Sequence, residues 1–407
     1  MIRVAVLCHG YIPHFRVRLY ELLAEKAAAE YVVFHGQPPS WIGVPELQGP
    51  FAFPQRRVAN REFRLGPMSL VYQPVVREIL TGGYDAVVLT TESKFIANLL
   101  LALLGKLRGI RVLFWGFGFN PVRGFRDSDK PHPLARLANV VKNAAVKYLA
   151  DGYLAYTRAG RDRLVATGFP SDRAFVLQNT IDMTEQIRLH AEVAGDDEAE
   201  IRRKFGLRPD SIVFAFIGRL VPFKRVDLLI DALRRINAEH LASRPVEAVI
   251  IGSGPAEAEL KAQAADVPGI HLLGALPPNA DVARCLKVSA AVVIGGLVGL
   301  VVNHAFAHGR PVITRESDGQ SPELEYITDG ENGMIVAGDV DAFTKGLARF
   351  VDSPDEQARL AAGALRAREA LRIEVMAENF DAAVRTTLAR GKSRRGNPAV
   401  AASSHGD

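Results

Sequence analysis

Residues 295–315 read GGLVGLVVNHAFAHGRPVITR, and this stretch decides the fold class. It opens with paired glycines after an apolar run, 290–294, that has the composition of a buried strand. Apolar residues then recur at helical spacing (Leu300, Val301, Ala305, with His304 beside them) until Gly309 breaks the pattern. An extended Pro-Val-Ile-Thr segment follows. Strand, glycine turn, helix and strand make one βαβ unit. The N–H groups that open such a helix form either a phosphate site or merely the packing turn that short glycine motifs often are.

Upstream, the same grammar repeats. Residues 212–217 are a strand, 218–224 (GRLVPFK) a loop, and Val226, Leu229, Ile230 and Leu233 mark a helix over 226–235. A glycine turn with Arg219 and Lys224 five apart, opening onto a helix, suits a diphosphate. Further strands are expected at 246–251, ending in Gly252-Ser253-Gly254, and at 270–273, followed by Gly274-Ala275-Leu276.

The amino-terminal half is also alternating. Strands are expected at 3–8, 31–35, 85–90 (DAVVLT), 111–115 and 152–155, with helices at 15–29, 96–106 and 134–149. This is the pattern of parallel α/β sheets, whose ligand loops lie at the carboxyl ends of strands. The first βαβ unit lacks GxGxxG and so is a poor dinucleotide site. Its loop offers Gly10, His14 and Arg16, with Arg18 beyond, as acceptor-side contacts or as a solvated helix face. Glu92, Trp115 and Gly116 also sit at strand ends. The helix at 134–149, with Arg136, Lys142 and Lys147, is either an ordinary domain helix or one that rests on an anionic membrane.

A chain of 407 residues suggests two domains of about 150–200 residues each. Hydrophobic content of 48% and charged content of 23% are those of a soluble globular protein. The net charge of +5 is too diffuse to argue for nucleic acid. Cys8 and Cys285 lie far apart beside apolar strands and read as buried reduced thiols, as in a cytosolic protein. The opening is read as a strand, so no signal peptide is expected, and the longest apolar run is too short to span a bilayer. The acidic stretch 190–200 reads as a surface connection into a short helix at 201–205. Boundaries are therefore expected at 1–190 and 191–371, with a last helix at about 372–390 returning to the first domain and a disordered tail at 391–407.

GRLVPFKRVDLLIDAL, IGSGPAEAEL, HLLGALP and GLVVNHAFAHGRPVIT, in this order and spacing, resemble the retaining glycosyltransferases of family 4. The resemblance extends over about residues 1–390 through the Pro-His-Phe-Arg loop, WGFG, and YTRAGRDRLVATGFP…NTID. It implies a GT-B fold, two Rossmann-like domains facing across a cleft, with a nucleotide-sugar donor held mainly by the second. It implies Gly218, Arg219 and Lys224 at the diphosphate, and Ala275 and Leu276 at the base. Gly299, Leu300 and Val301 would hold the distal phosphate, and Gly252 and Gly254 would line the donor site. No metal or other cofactor is implied, because Arg, Lys and a helix N-terminus take that role.

This sequence departs from the family at one place. Two glutamates eight positions apart are usual, and here Gly296 and His304 stand there. His304 either bonds a ribose hydroxyl or is a packed core histidine. A branch of the family is similar at these positions. Glu325 is the nearer match to the acidic residue of the closing loop, 320–325, with Glu323 second. The expected function is hexosyl transfer with retention, from a nucleoside diphosphate sugar to a hydroxyl of a growing glycan or lipid-linked saccharide. Expected partners are donor, acceptor and an anionic membrane surface, and the expected location is the cytoplasm, peripherally at the inner face of the membrane. The alternatives are a catalytically silent nucleotide-sugar-binding subunit and a nucleotide-sugar epimerase or hydrolase on the same fold.

Overall fold

The computed structural model describes residues 1–7, 10–40, 45–66, 68–118, 133–277, 279–317 and 320–395. Cys8, the segment 119–132 and the end of the expected tail, 396–407, lie outside the described residues. The chain divides into two compact units, with the divisions at Asn179/Thr180 and Ile373/Glu374.

The first unit is built on a seven-stranded parallel sheet. Its strands are β1 (Arg3–Leu7), β2 (Glu30–His35) and β3 (Gln55–Arg57), then β6 (Ala86–Thr90), β7 (Arg111–Gly116), β8 (Gly152–Ala155) and β9 (Ala174–Val176). Between β3 and β6 an antiparallel hairpin, β4 (Arg61–Leu65) and β5 (Met68–Tyr72), stands apart. The sheet order is β3-β2-β1-β6-β7-β8-β9, the mark of a doubly wound sheet that switches direction at β1. Val4, Ala5 and Val6 of β1 and Val87, Val88 and Leu89 of β6 are wholly buried. Strands covered on both faces are near-continuous apolar runs, and these are. The Glu374-to-Arg390 part of the last helix belongs to this unit, where Asp381 accepts a 2.9 Å bond from the Tyr31 hydroxyl and Asp172 pairs with Arg390 at 2.8 Å.

The second unit repeats the design with six parallel strands, β10 (Ile212–Ile217), β11 (Val246–Ile251), β12 (Ile270–Gly274), β13 (Ser289–Ile294), β14 (Val312–Arg315) and β15 (Gly333–Val336). Their order is β12-β11-β10-β13-β14-β15. The Val226–Ala238 helix buries Val226, Leu229, Ile230 and Leu233, the residues whose spacing announced it, and Ile236 beyond them.

Several expectations need correcting. The stretch 190–200 is not a bare connection, because helices Thr184–Glu192 and Glu198–Phe205 occupy most of it. The first helix begins as a single 3-10 turn, His14–Arg16, and becomes α-helical over Val17–Lys26. The carboxy-terminal pattern is two helices, Pro354–Ala370 and Ile373–Arg395, and the second continues into the segment expected to be disordered.

Candidate functional site

The loops that follow β10, β11, β12 and β13 all leave the carboxyl edge of the second sheet. Those after β10 and β11 run against each other as backbone on backbone. The Gly218 N–H donates to Ile251 O at 3.0 Å and the Leu220 N–H to Ser253 O at 2.9 Å. A Cβ on Gly252 (φ +151°) would lie 1.8 Å from the Gly218 carbonyl, and one on Gly254 2.3 Å from that of Leu220. The structure thus gives Gly252 and Gly254 a packing reason to be glycine. Arg219, on the loop after β10, is exposed, and its side chain makes no hydrogen bond among the described residues.

Beyond Arg219 the chain makes a 3-10 turn, Pro222–Lys224, and Arg225 passes through the left-handed region (φ +52°) to start the helix. This turn lies directly on the paired glycines after β13. The Gly296 N–H donates to Lys224 O at 3.1 Å and the Leu297 N–H to Phe223 O at 3.0 Å. A Cβ at Gly296 would stand 2.2 Å from Phe223 O and 3.0 Å from the Lys224 carbonyl carbon. No side chain fits at 296 with this backbone. The position that carries a glutamate in the resembling family is filled here by main chain.

The same turn aims Lys224 inward. Its Nζ donates to Leu297 O and Val298 O, both at 2.7 Å. Burial pulls the ammonium down to a pKa of about 8, and the charge of Glu323 opposes that fall. Of the two candidate acids, Glu323 is buried (4% exposed) within the Pro322–Tyr326 turn, and Glu325 is exposed. Glu323, ranked second from sequence, is thus the covered one of the pair. Gln320 bridges the glycine loop, donating to Gly296 O at 2.9 Å and accepting from the Val298 N–H at 3.3 Å. The Gly299 N–H, expected at the distal phosphate, donates to the Ser321 hydroxyl at 2.7 Å. The N–H groups of Leu300 and Val301, at the start of helix Val301–Ala307, make no hydrogen bond among the described residues.

His304 and Leu276 line a cavity of about 70 Å³ with Ile217, Ile251 and Asn279. Ala275 is exposed beside it. Two further lining residues were not found from sequence. Gln186 and His308 are buried, and each carries a polar atom, Oε1 and Nδ1, without a partner among the described residues. Orphaned buried polar atoms call for an explanation, and a ligand edge or ordered water supplies one. Burial, and then the nearby positive charges, hold His308 neutral, with a pKa pushed down to about 3. The His304–His308 spacing was the available signal: four residues apart on a helix share one face.

In the first unit the acceptor-side candidates separate. His14 and Glu92 are exposed. Gly10 (φ +70°) is buried, and a Cβ there would lie 2.7 Å from the Phe95 ring. A Cβ on Gly116 would lie 2.1 Å from the Thr91 hydroxyl. Trp115 is buried, so its ring belongs to the core. Arg16 is neither a solvated cation nor an open acceptor contact. It is 2% exposed, bonded to Asn179 Oδ1, and its guanidinium lies over the Trp115 ring at 5.2 Å. Lys142 is also buried, which removes it from the basic surface expected of its helix. Cys285 is a free, buried thiol with its pKa pushed up to about 12. Among the described residues no cluster of three His, Cys, Asp or Glu could hold a metal ion.

Residues 211–353 match the family model described as Glycosyl transferases group 1. A D-inositol 3-phosphate glycosyltransferase from Kribbella flavida is 32% identical over 274 residues, covering 64% of this chain and 61% of that protein. The corresponding protein from Actinosynnema mirum is 29% identical over 251 residues, covering 59% and 57%. The chain thus spans about six-tenths of the length of these curated relatives. Among solved structures, HepE from Anabaena in complex with UDP superposes with a TM-score of 0.69 at 16% identity, over 95% of this chain and 100% of that one. WaaG, a glycosyltransferase involved in lipopolysaccharide biosynthesis, gives 0.63 at 15% identity, over 93% and 98%. The fold is GT-B.

Proposed function

We propose that this GT-B protein is a glycosyltransferase that moves a hexose, with retention, from a nucleoside diphosphate to a hydroxyl of a growing glycan or lipid-linked saccharide. The observation that carries the reading is Lys224, a half-buried ammonium aimed under the glycine loop at Leu297 and Val298. A partly desolvated cation beside open N–H groups is a place for a diphosphate. Arg219 supplies a second charge from the same loop. The base enters beside Leu276, where Gln186 and His308 offer it unpaired polar atoms, and His304 faces the ribose. That HepE is known in complex with UDP-glucose supports a UDP-sugar as the first donor to try.

In this mechanism the bond between the sugar anomeric carbon and the diphosphate oxygen breaks as the acceptor oxygen bonds on the same face. The acceptor proton passes to the departing phosphate oxygen. Arg219 and Lys224 stabilise the negative charge that develops there, and no side-chain nucleophile is needed. Recognition of the donor sugar falls to Glu323 and to main-chain groups of the 296–299 loop, since Gly296 offers no side chain.

The first unit gives the membrane reading its support. Leu103, Leu107, Leu137 and Val140 are 50–76% exposed on the helices Ile96–Leu107 and Pro133–Leu149. Phe63 and Leu65 are exposed on the β4–β5 hairpin. No helix among the described residues is long and apolar enough to cross a membrane. An apolar surface of this kind rests on lipid rather than spanning it, which suits a lipid-linked acceptor.

Thermal stabilisation by UDP-, GDP-, dTDP- and ADP-sugars tests the function. Ligand at ten times its dissociation constant contributes about 1.4 kcal/mol, which shifts a melting curve. One selective donor, followed by transfer to a saccharide acceptor, is the expected result. Donor binding without turnover on a broad acceptor panel would replace the transferase with a silent binding subunit, a reading that the filled space at Gly296 favours. No binding by any nucleotide would refute both.

A further inference from the structure

A half-open cavity of the second unit lies at the other end of its sheet. It has a volume of about 510 Å³ and is lined by Arg208, Arg234, Arg244 and His240 with Asp266, together with the apolar Ile236, Pro245 and Val267. Arg208 precedes β10, Arg244 and Pro245 precede β11, and Val267 precedes β12. The cavity therefore sits at the amino ends of the strands whose carboxyl ends lead into the Lys224 loops.

Its charge is spent only in part on internal carboxylates. Arg244 donates once, from Nε to the Asp210 carbonyl at 2.8 Å, and has no carboxylate partner among the described residues. Arg208 approaches Glu247 only at 3.6 Å, and that carboxylate already accepts from the Ser211 hydroxyl at 2.5 Å and the Arg208 N–H at 2.8 Å. Arg234 is held in place by Asp231 at 2.6 Å and the Gln263 carbonyl at 2.8 Å, and its buried Nε is unpartnered among the described residues. Asp266, the acidic member of the lining, is 80% exposed and reaches Arg234 at 3.4 Å. Arg234 is matched by Asp231 and Asp266 and Arg208 faces Glu247, which leaves Arg244 as the lining guanidinium with no carboxylate partner among the described residues, and it offsets the end of the Val226–Ala238 helix, whose carbonyls alone would repel an anion.

We propose that this cavity is a second ligand site, distinct from the donor site, for a small phosphorylated molecule with a compact apolar body. Guanidinium forks match phosphate oxygens in pairs, and the volume lies in the usual range of small-molecule sites. The apolar side chains take the body of the ligand. The lining contains no Phe, Tyr or Trp on which a base would stack, so single-stranded nucleic acid is not its occupant.

The probe is phenyl phosphate, titrated calorimetrically into the full chain, with inorganic phosphate as the head group alone and benzyl alcohol as the body alone. Phenyl phosphate is expected to bind saturably and at least about tenfold more tightly than either fragment. Its affinity should survive an excess of UDP and the Lys224→Ala change, and fall at least about tenfold in Arg208→Gln/Arg244→Gln. Arg244→Gln alone, at an exposed residue held by one bond, gives the same direction if the double variant melts early. No saturable binding, equal affinity for inorganic phosphate, competition by UDP, or wild-type affinity in the arginine variants each overturns the proposal.

Discussion

Replacing Gly296 tests whether the main chain has displaced a side chain at this site. In Gly296→Ala the new Cβ would lie 2.2 Å from Phe223 O, 3.0 Å from the Lys224 carbonyl carbon and 3.0 Å from Arg225 Cγ. Two of those atoms are backbone and cannot swing aside. The Pro222–Lys224 turn must therefore lift, and the bonds it accepts from the Gly296 and Leu297 N–H groups, 3.1 and 3.0 Å long, stretch or break. Two backbone bonds at about 1 kcal/mol each, with overpacking strain of about 1–3 kcal/mol, give a loss of about 3–5 kcal/mol. A turn that lifts carries Lys224 away from Leu297 and Val298, so UDP affinity should fall at least about tenfold, as for loss of one charge-assisted contact. Urea denaturation measures the first effect and calorimetric UDP titration the second. Gly296→Glu, which restores the usual family residue, should be no better than Gly296→Ala on either measure. Wild-type stability and UDP affinity in Gly296→Ala would refute the steric argument outright.

Lys224→Ala should lower turnover by about a hundredfold, comparable with loss of one oxyanion donor, and steady-state kinetics with the selected donor will show it. Because the Lys224 ammonium titrates at about 8, UDP should bind most tightly below that pH, and affinity should weaken by about tenfold towards pH 9 as the charge is lost. His308 has the opposite consequence for stability. Its folded pKa of about 3 lies below the unfolded value, so the unfolded chain takes up the proton first and stability falls as pH drops below about 6.5. At pH 5 the loss is about 2 kcal/mol, and His308→Leu should flatten that slope in urea titrations at pH 7.5 and 5, with His190, His304, Arg310 and Arg368 unchanged around it. Leu137→Glu/Val140→Glu should abolish co-sedimentation with anionic vesicles and leave UDP binding intact; equal sedimentation of wild type and variant would remove the membrane contact.

The alternating strands were legible because a parallel sheet covered on both faces has little choice of residue. The runs 212–217, 246–251 and 152–155 coincide with β10, β11 and β8 to the residue. What pattern could not reach was structure held by few apolar residues. β3 and β4 are exposed throughout, so no alternation marks them, and the hairpin was missed. The acidic stretch 190–200 lacked apolar periodicity because a two-turn helix needs only Leu189 or Ile201 to seat it. Arg16 misled for another reason. Nothing local distinguishes a surface arginine from one covered by Trp115 and Tyr156, because those partners come from distant parts of the chain. The glycines and Lys224 of the candidate site stood out in the sequence, whereas the burial of Glu323 and the exposure of Glu325 did not, since that requires knowing which side of a short turn is covered.

Gly296 and Lys224 are best understood as one feature. The absence of a side chain at 296 is what lets the Phe223 and Lys224 carbonyls come within hydrogen-bond distance of the Leu297 and Gly296 N–H groups. Those two bonds fix the turn from which Lys224 reaches Leu297 O and Val298 O, and they require Arg225 to adopt a left-handed conformation that a non-glycine residue takes only when its surroundings hold it there. A site decaying after the loss of a glutamate has no reason to retain that strain, nor the Gln320 amide that spans from Gly296 O to the Val298 N–H on the other side of the loop. The arrangement is instead a loop braced from both sides around a half-buried cation. Arg225→Gly/Gly296→Ala separates the two ideas. Relieving the strain at 225 should recover little of the stability lost at 296 if the bracing is a unit, and most of it if the two positions are independent.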